Sequence, residues 1–159
     1  MQSSVQRVVD AAAEHGLDVE VHEFPEGTHT ADDAARAVGV DVAQIVKSLV
    51  FTVDGEVVVA LVSGANRLDE KALAAAAGHP GAKVARADAD SVRAATGYAI
   101  GGVPPFGHRT PISTFVDRDL LAFDVIWASA GSPQHVFPAA PADIVRASSA
   151  TAADLRKSP

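Results

Sequence analysis

The chain has 159 residues, 48% of them hydrophobic, no cysteine, and a formal net charge of −7. This length fits one domain with a sizeable core, and the missing cysteines exclude disulfides, a thiol nucleophile and cysteine-ligated zinc. The acidic balance argues against DNA and against any broad grip on nucleic acid, which needs clustered Lys and Arg.

The N-terminal stretch MQSSVQRVVDAAAEHG lacks the basic-then-apolar order of a secretion signal, and no apolar run reaches the roughly 18 residues of a membrane span. Cytoplasm is the default expectation, with no membrane partner. Ser3 or Ser4 can cap a first helix that places Val5, Val8, Val9, Ala12 and Ala13 on one face, with Gly16 to end it. LDVEVHEF, residues 17–24, alternates as a strand does. Thr30 and Asp33 form a capping-box pattern for a helix from Ala31 to Val38, stopped by Gly39. Asp41 can cap a further single turn, Val42 to Val46. KSLVFTVDGEVVVALVS holds two β-rich runs about Asp54-Gly55, a strong hairpin signal. Leu68 to Ala77 reads as an alanine-rich helix capped by Asp69 and ended by Gly78.

AKVAR is a short strand, and Asp88 or Asp90 caps a helix through Ala95, ended by Gly97. PISTFVD and FDVIWASA read as strands with a turn from Asp117 to Leu121, and QHVFPA as a last strand. Pro141 suits the first turn of a helix over Ala142 to Ala147. The segment at about 148–159 is expected to fray. The mixture predicts a single α+β domain over 1–159, with a mixed, largely antiparallel sheet or partial barrel flanked by helices.

Two features stand out. Alternation places Lys47 with Leu49, Phe51 and Val53 on one strand face. An ammonium on such a stripe either snorkels to water or faces a cleft holding an anion or polar ligand. The loop IGGVPPFGH, residues 100–108, sets three glycines among two prolines, so it is a loop of specified shape.

Other residues say less. Ser63 follows a strand and can line a pocket or sit in a plain turn. Trp127 reads as core. His29, His108 and His135 lie in or beside turns, where functional residues concentrate. The spacing HExxH, the GxSxG elbow and the two glycine-rich phosphate motifs are all missing. No cofactor or metal is expected, and a three-histidine metal hydrolase built on those residues is a minor alternative.

Four segments, TADDAARAVGVDVAQIVKSLVF, VSGANRLDEKALA, TGYAIGGVPPFGH and ASAGSPQHVFPAAPADIV, occur in the order seen in the YbaK and prolyl-tRNA synthetase-associated editing domains. The chain resembles that family over roughly residues 17–147. The resemblance implies a freestanding aminoacyl-tRNA deacylase acting in trans on mischarged tRNA, removing a small non-cognate amino acid, with tRNA-Pro the foremost substrate. The family lysine maps to Lys47, and the family G-x-x-x-P loop to Gly101, Gly102, Val103, Pro104 and Pro105. A pocket position maps to Thr30 and a last-strand polar position to His135.

On this reading Lys47 anchors the tRNA end. The N–H groups of Gly101 and Gly102 meet the aminoacyl carbonyl, since neither residue has a Cβ to block it. Pro104 and Pro105 hold the loop. His108, His135 or the ribose 2′-hydroxyl is left as the proton acceptor. The acidic charge also permits delivery by a synthetase or elongation factor. The alternative is a binding module that holds an amino acid or an acylated end without cleaving it.

Overall fold

The computed structural model describes residues 3–28 and 30–158. Helix α1 (Ser3–Glu14) buries Val5, Val8 and Ala12 along one stripe, as its apolar spacing requires. Strand β1 (His22–Glu23) is shorter than the alternation over 17–24 suggests. Only these two residues find a ladder partner, at Val136 and His135, and without a partner an alternating run stays irregular. Helix α2 (Ala31–Val38) begins at Thr30, whose Oγ1 accepts the Asp33 N–H, and ends at Gly39. Asp41 caps a 3₁₀ turn, Val42–Gln44.

Strands β2 (Val46–Val53) and β3 (Glu56–Ser63) form the expected hairpin. Asp54 and Gly55 both take positive φ, 51° and 81°, the pair that a two-residue turn matching strand twist demands. Helix α3 (Glu70–Ala76) is capped by Asp69, and helix α4 (Ala89–Thr96), which follows β4 (Val84–Arg86), by Asp88. Strands β5 (Ser113–Asp117), β6 (Ile126–Ser132) and β7 (His135–Ala139) lead to helix α5 (Pro141–Ser148).

The segment expected to fray is ordered over most of its described residues. Residues Thr151–Ala153 form β8, which pairs in parallel with β5. Leu155 is fully buried, and Leu68 bridges Arg156. Main-chain pairing and one apolar anchor hold the tail down, and a short polar sequence does not advertise either.

The result is an α+β domain with two sheets, in the orders β1-β7-β6 and β4-β2-β3-β5-β8. Pairing is antiparallel except for β3 with β5 and β5 with β8. Among the described residues a single bridge, Ile45 to Trp127, ties one sheet to the other. The main core lies between them, where Val46, Val50, Val59 and Leu61 meet Val8, Phe106, Ile126 and Phe137. A second cluster on the far face of the hairpin joins Phe51, Val53, Val58, Ala60 and Val62 to Leu73 and Leu155. Among the described residues, no helix is long and apolar enough to cross a membrane.

Candidate active site

Strand β2 alternates between the two cores, so its position in register decides where Lys47 points. Val46 and Val50 face the main core, while Phe51 and Val53, with Leu49 packed against them, face the second cluster. Lys47 continues that second row at the end of the strand, where it is half-buried.

Its Nζ donates to the main-chain carbonyl of Asn66 at 2.5 Å. Asn66 closes the turn after β3, its N–H bonding Ser63 O at 2.9 Å. The Asn66 side chain donates to Asp117 and to Asp119, each at 2.8 Å. Asp117 is 1% exposed and also accepts the N–H groups of Ser63 and Asp119. A buried carboxylate at the end of β5 therefore fixes the turn whose carbonyl holds the ammonium. Burial pushes the Lys47 pKa below the ordinary lysine value. Asp117 opposes that shift, and Arg67 and Arg86 add to it.

The loop after α4 is shaped by two glycines in different ways. The Gly102 N–H bonds Ala99 O at 3.0 Å, closing a turn in which Gly101 takes φ 88°. That conformation strains any residue with a Cβ. Gly102 is needed for space: a Cβ there would lie 2.8 Å from Ser132 Cα. Val103, Pro104, Pro105 and Phe106 are buried behind it. His108 Nε2 donates to Pro104 O at 2.7 Å, and burial lowers its pKa, partly offset by that bond. This corrects the reading of two glycine donors. The Gly102 N–H is already committed, whereas among the described residues no acceptor takes that of Gly101.

Between the sheets, beside the single bridge, lies a cavity of about 470 Å³. Lys47 from β2, Gly101 and Val103 from the loop, and Thr30 at the start of α2 all line it. So do Trp127 and Ser129 of β6, and Ser129 Oγ donates to Gly101 O at 3.2 Å. Lys47 and Arg86 are its only ionisable lining groups among the described residues. Such a wall can polarise oxygen and hold an anion, and among the described residues it supplies no imidazole or carboxylate as a base.

The other sequence candidates stand elsewhere. Gly102, Pro104 and Pro105 back the loop, and Ser63 Oγ donates to Ala43 O at 2.7 Å, outside the lining. His108 is turned to Pro104, and His135 is held between Ser132 Oγ at 2.6 Å and Glu23 at 2.9 Å. Neither histidine lines the cavity, which removes the geometric basis for either as proton acceptor there. His29 lies outside the described residues. Among those described, no three His, Asp or Glu residues gather as a metal site would require.

Trp127, read as core, packs against the small cluster of Ala34, Ala35 and Ile45 and is also a cavity wall, braced edge-on by His22 with ring centroids 5.0 Å apart. Asn66 belongs to the stretch 63–66, whose sequence suits a pocket wall or a plain turn, whereas Asp117 reads only as the start of a turn; a carboxylate closing an apolar strand is the signal that points to it. Ser48 also borders the cavity, with its hydroxyl buried and unpartnered among the described residues.

Residues 25–147 match the aminoacyl-tRNA editing domain family. The chain is 31% identical over 134 residues to a protein of Enterococcus faecalis named "Putative Cys-tRNA(Pro)/Cys-tRNA(Cys) deacylase EbsC", covering 82% of this chain and 78% of that one. It is 36% identical over 95 residues to a proline–tRNA ligase of Maridesulfovibrio salexigens, covering 60% of this chain but 16% of the ligase. Among solved structures, one described as a "putative trans-editing enzyme for prolyl tRNA synthetase" superposes with a TM-score of 0.91 at 42% identity, over 99% of both chains.

Proposed function

The chain belongs to the aminoacyl-tRNA editing domain family, and from that membership we propose that it is a trans-acting deacylase. It hydrolyses the ester joining a small, wrongly attached amino acid to the 3′ end of a tRNA, with tRNA-Pro as the foremost substrate. The observation that carries this reading is the convergence of Lys47, Gly101 and Thr30 on one cavity of about 470 Å³.

The chemistry asks little of the protein, because an aminoacyl ester is already activated. Water attacks the carbonyl carbon, the ester C–O bond breaks, and the ribose oxygen leaves with a proton as the amino acid departs. The Gly101 N–H is the donor for the oxyanion that develops, on a backbone held in place by the turn and by Ser129. Lys47 supplies a positive point charge to the ester and the terminal ribose-phosphate. No imidazole or carboxylate stands among the described lining residues, and in this reading the substrate's own vicinal hydroxyl relays the proton. The reaction takes place in the cytoplasm, where tRNA is charged.

The test is a panel of tRNAs mischarged with alanine, serine, cysteine or threonine, incubated with wild type and with Lys47→Ala. The reading requires release of at least one of these amino acids by wild type and loss of that release in the variant. Tight binding of the acylated end without turnover would instead make the protein a binding module.

A further inference from the structure

A second depression, about 840 Å³ in volume, opens directly beside the cavity and shares Lys47, Leu49 and Arg86 with it. Its charge is the reverse of the molecule's. Five of the chain's 13 Lys and Arg residues line it, against two of its 20 Asp and Glu residues. One of those two, Asp69, is engaged in capping α3 through the N–H groups of Lys71 and Ala72.

These cations are not the ion-paired ones. Arg36, Arg118, Arg146 and Arg156 each meet a carboxylate. Arg67, Lys71, Arg86 and Lys157 are exposed, and none of them forms an ion pair among the described residues. A solvated surface of mixed charge would intersperse the two signs, and leaving like charges together costs energy until an anion arrives.

The grouping is also built rather than incidental. The C-terminal segment places Lys157 beside Arg67, because the Lys157 N–H bonds Arg67 O at 2.8 Å and the Asp69 N–H bonds Leu155 O at 2.7 Å. Arg86 is laid over the Phe51 ring, 5.5 Å from its centroid. The lowering of the Lys47 pKa by Arg67 and Arg86 reflects the same proximity.

We propose that this trough is a phosphodiester track, whose cations hold the backbone of the RNA strand that carries the ester into the cavity. The identity of the ester rests on the deacylase reading, but the track itself does not. A row of separated point charges suits successive phosphates and is indifferent to bases. An acidic protein thereby grips RNA locally, at the acylated end, and repels the rest.

The test uses a non-acylated RNA hairpin with a single-stranded 3′ end, its binding measured by fluorescence anisotropy across a salt series. The comparison is wild type against a triple variant, Arg67→Ala with Lys71→Ala and Lys157→Ala. All three side chains are exposed, and an unchanged circular dichroism spectrum checks the fold. The variant should bind at least about tenfold more weakly, with a log K against log salt slope shallower by about 2, at roughly 0.7 per lost phosphate contact. A charge-keeping set, Arg67→Lys with Lys71→Arg and Lys157→Arg, should retain the wild-type slope. An unchanged slope in the alanine variant, or no salt-dependent binding by wild type, overturns the track. If wild type deacylates tRNA while the alanine variant keeps its slope, the track falls and the deacylase stands. If the slope changes as stated while wild type cleaves no ester, the track stands and the deacylase falls.

Discussion

Lys47 reaches across from β2 to donate to the Asn66 carbonyl, while the Asn66 side chain is itself tied to Asp117. The ammonium is thus aimed by a chain of bonds that ends on a buried carboxylate. Replacing Lys47 by Ala removes the charge and leaves the turn intact. Steady-state deacylation should show kcat/KM falling by about 100-fold or more, with the thermal midpoint little changed. Wild-type kinetics in that variant would take Lys47 out of the mechanism.

Asp117 is expected to matter more for stability than Lys47. Asp117→Ala strips the acceptor from Ser63, Asp119 and Asn66 together. Unpaired buried donors should cost about 3 kcal/mol, read from urea unfolding. Asp117→Asn, which keeps one acceptor oxygen, should lose less.

Lys47 also makes stability depend on pH. Its folded pKa lies below the 10.5 of an ordinary lysine, burial being the leading cause. Between the two values the unfolded chain binds more protons than the folded one, so this group's contribution to stability rises with pH across that window. Lys47→Met should therefore be stabilised relative to wild type at neutral pH, and the gap should close as pH approaches 10.5. Paired denaturant titrations at several pH values measure it, and a gap that widens with pH contradicts the assignment.

His108 behaves in the same sense at lower pH. Burial sets its folded pKa below 6.5. Stability is lost as pH falls through the window below 6.5, where the unfolded chain takes up the proton first. An NMR titration of the imidazole should give a midpoint under that value.

Gly102→Ala tests the loop by steric means. The new Cβ would press on the backbone of Ser132 at 2.8 Å, and a strand backbone does not move aside cheaply. The expected cost is about 2 kcal/mol in unfolding experiments. Deacylation should fall with it, since Gly101 and Val103 shift out of the cavity wall.

Much of this was legible because local chemistry coincides with tertiary need. The caps at Thr30, Asp41, Asp69 and Asp88 and the Asp54-Gly55 turn are decided within a few residues, and all hold in the structure. The alternation of β2 likewise sets which face carries Lys47. What escaped depends on partners remote in the chain. Residues 17–21 alternate like a strand and pack Leu17, Val19 and Val21 onto the core, but among the described residues they find no ladder partner. Residues 151–153 hardly announce themselves, yet β5 accepts them in parallel. Trp127 became a cavity wall through the close of one sheet on another, and the commitment of the Gly102 N–H to Ala99 is a property of a turn's exact path.

The hairpin of β2 and β3 carries Lys47 at one end and the Asp54-Gly55 turn at the other. Their separation along the strand is roughly 23 Å at about 3.3 Å per residue. A dye or surface tether attached at the turn would ride on the same rigid rod as the Lys47 amine, yet stand at the far end of the strand from the cavity. That makes the turn a natural handle for watching single molecules of this protein at work.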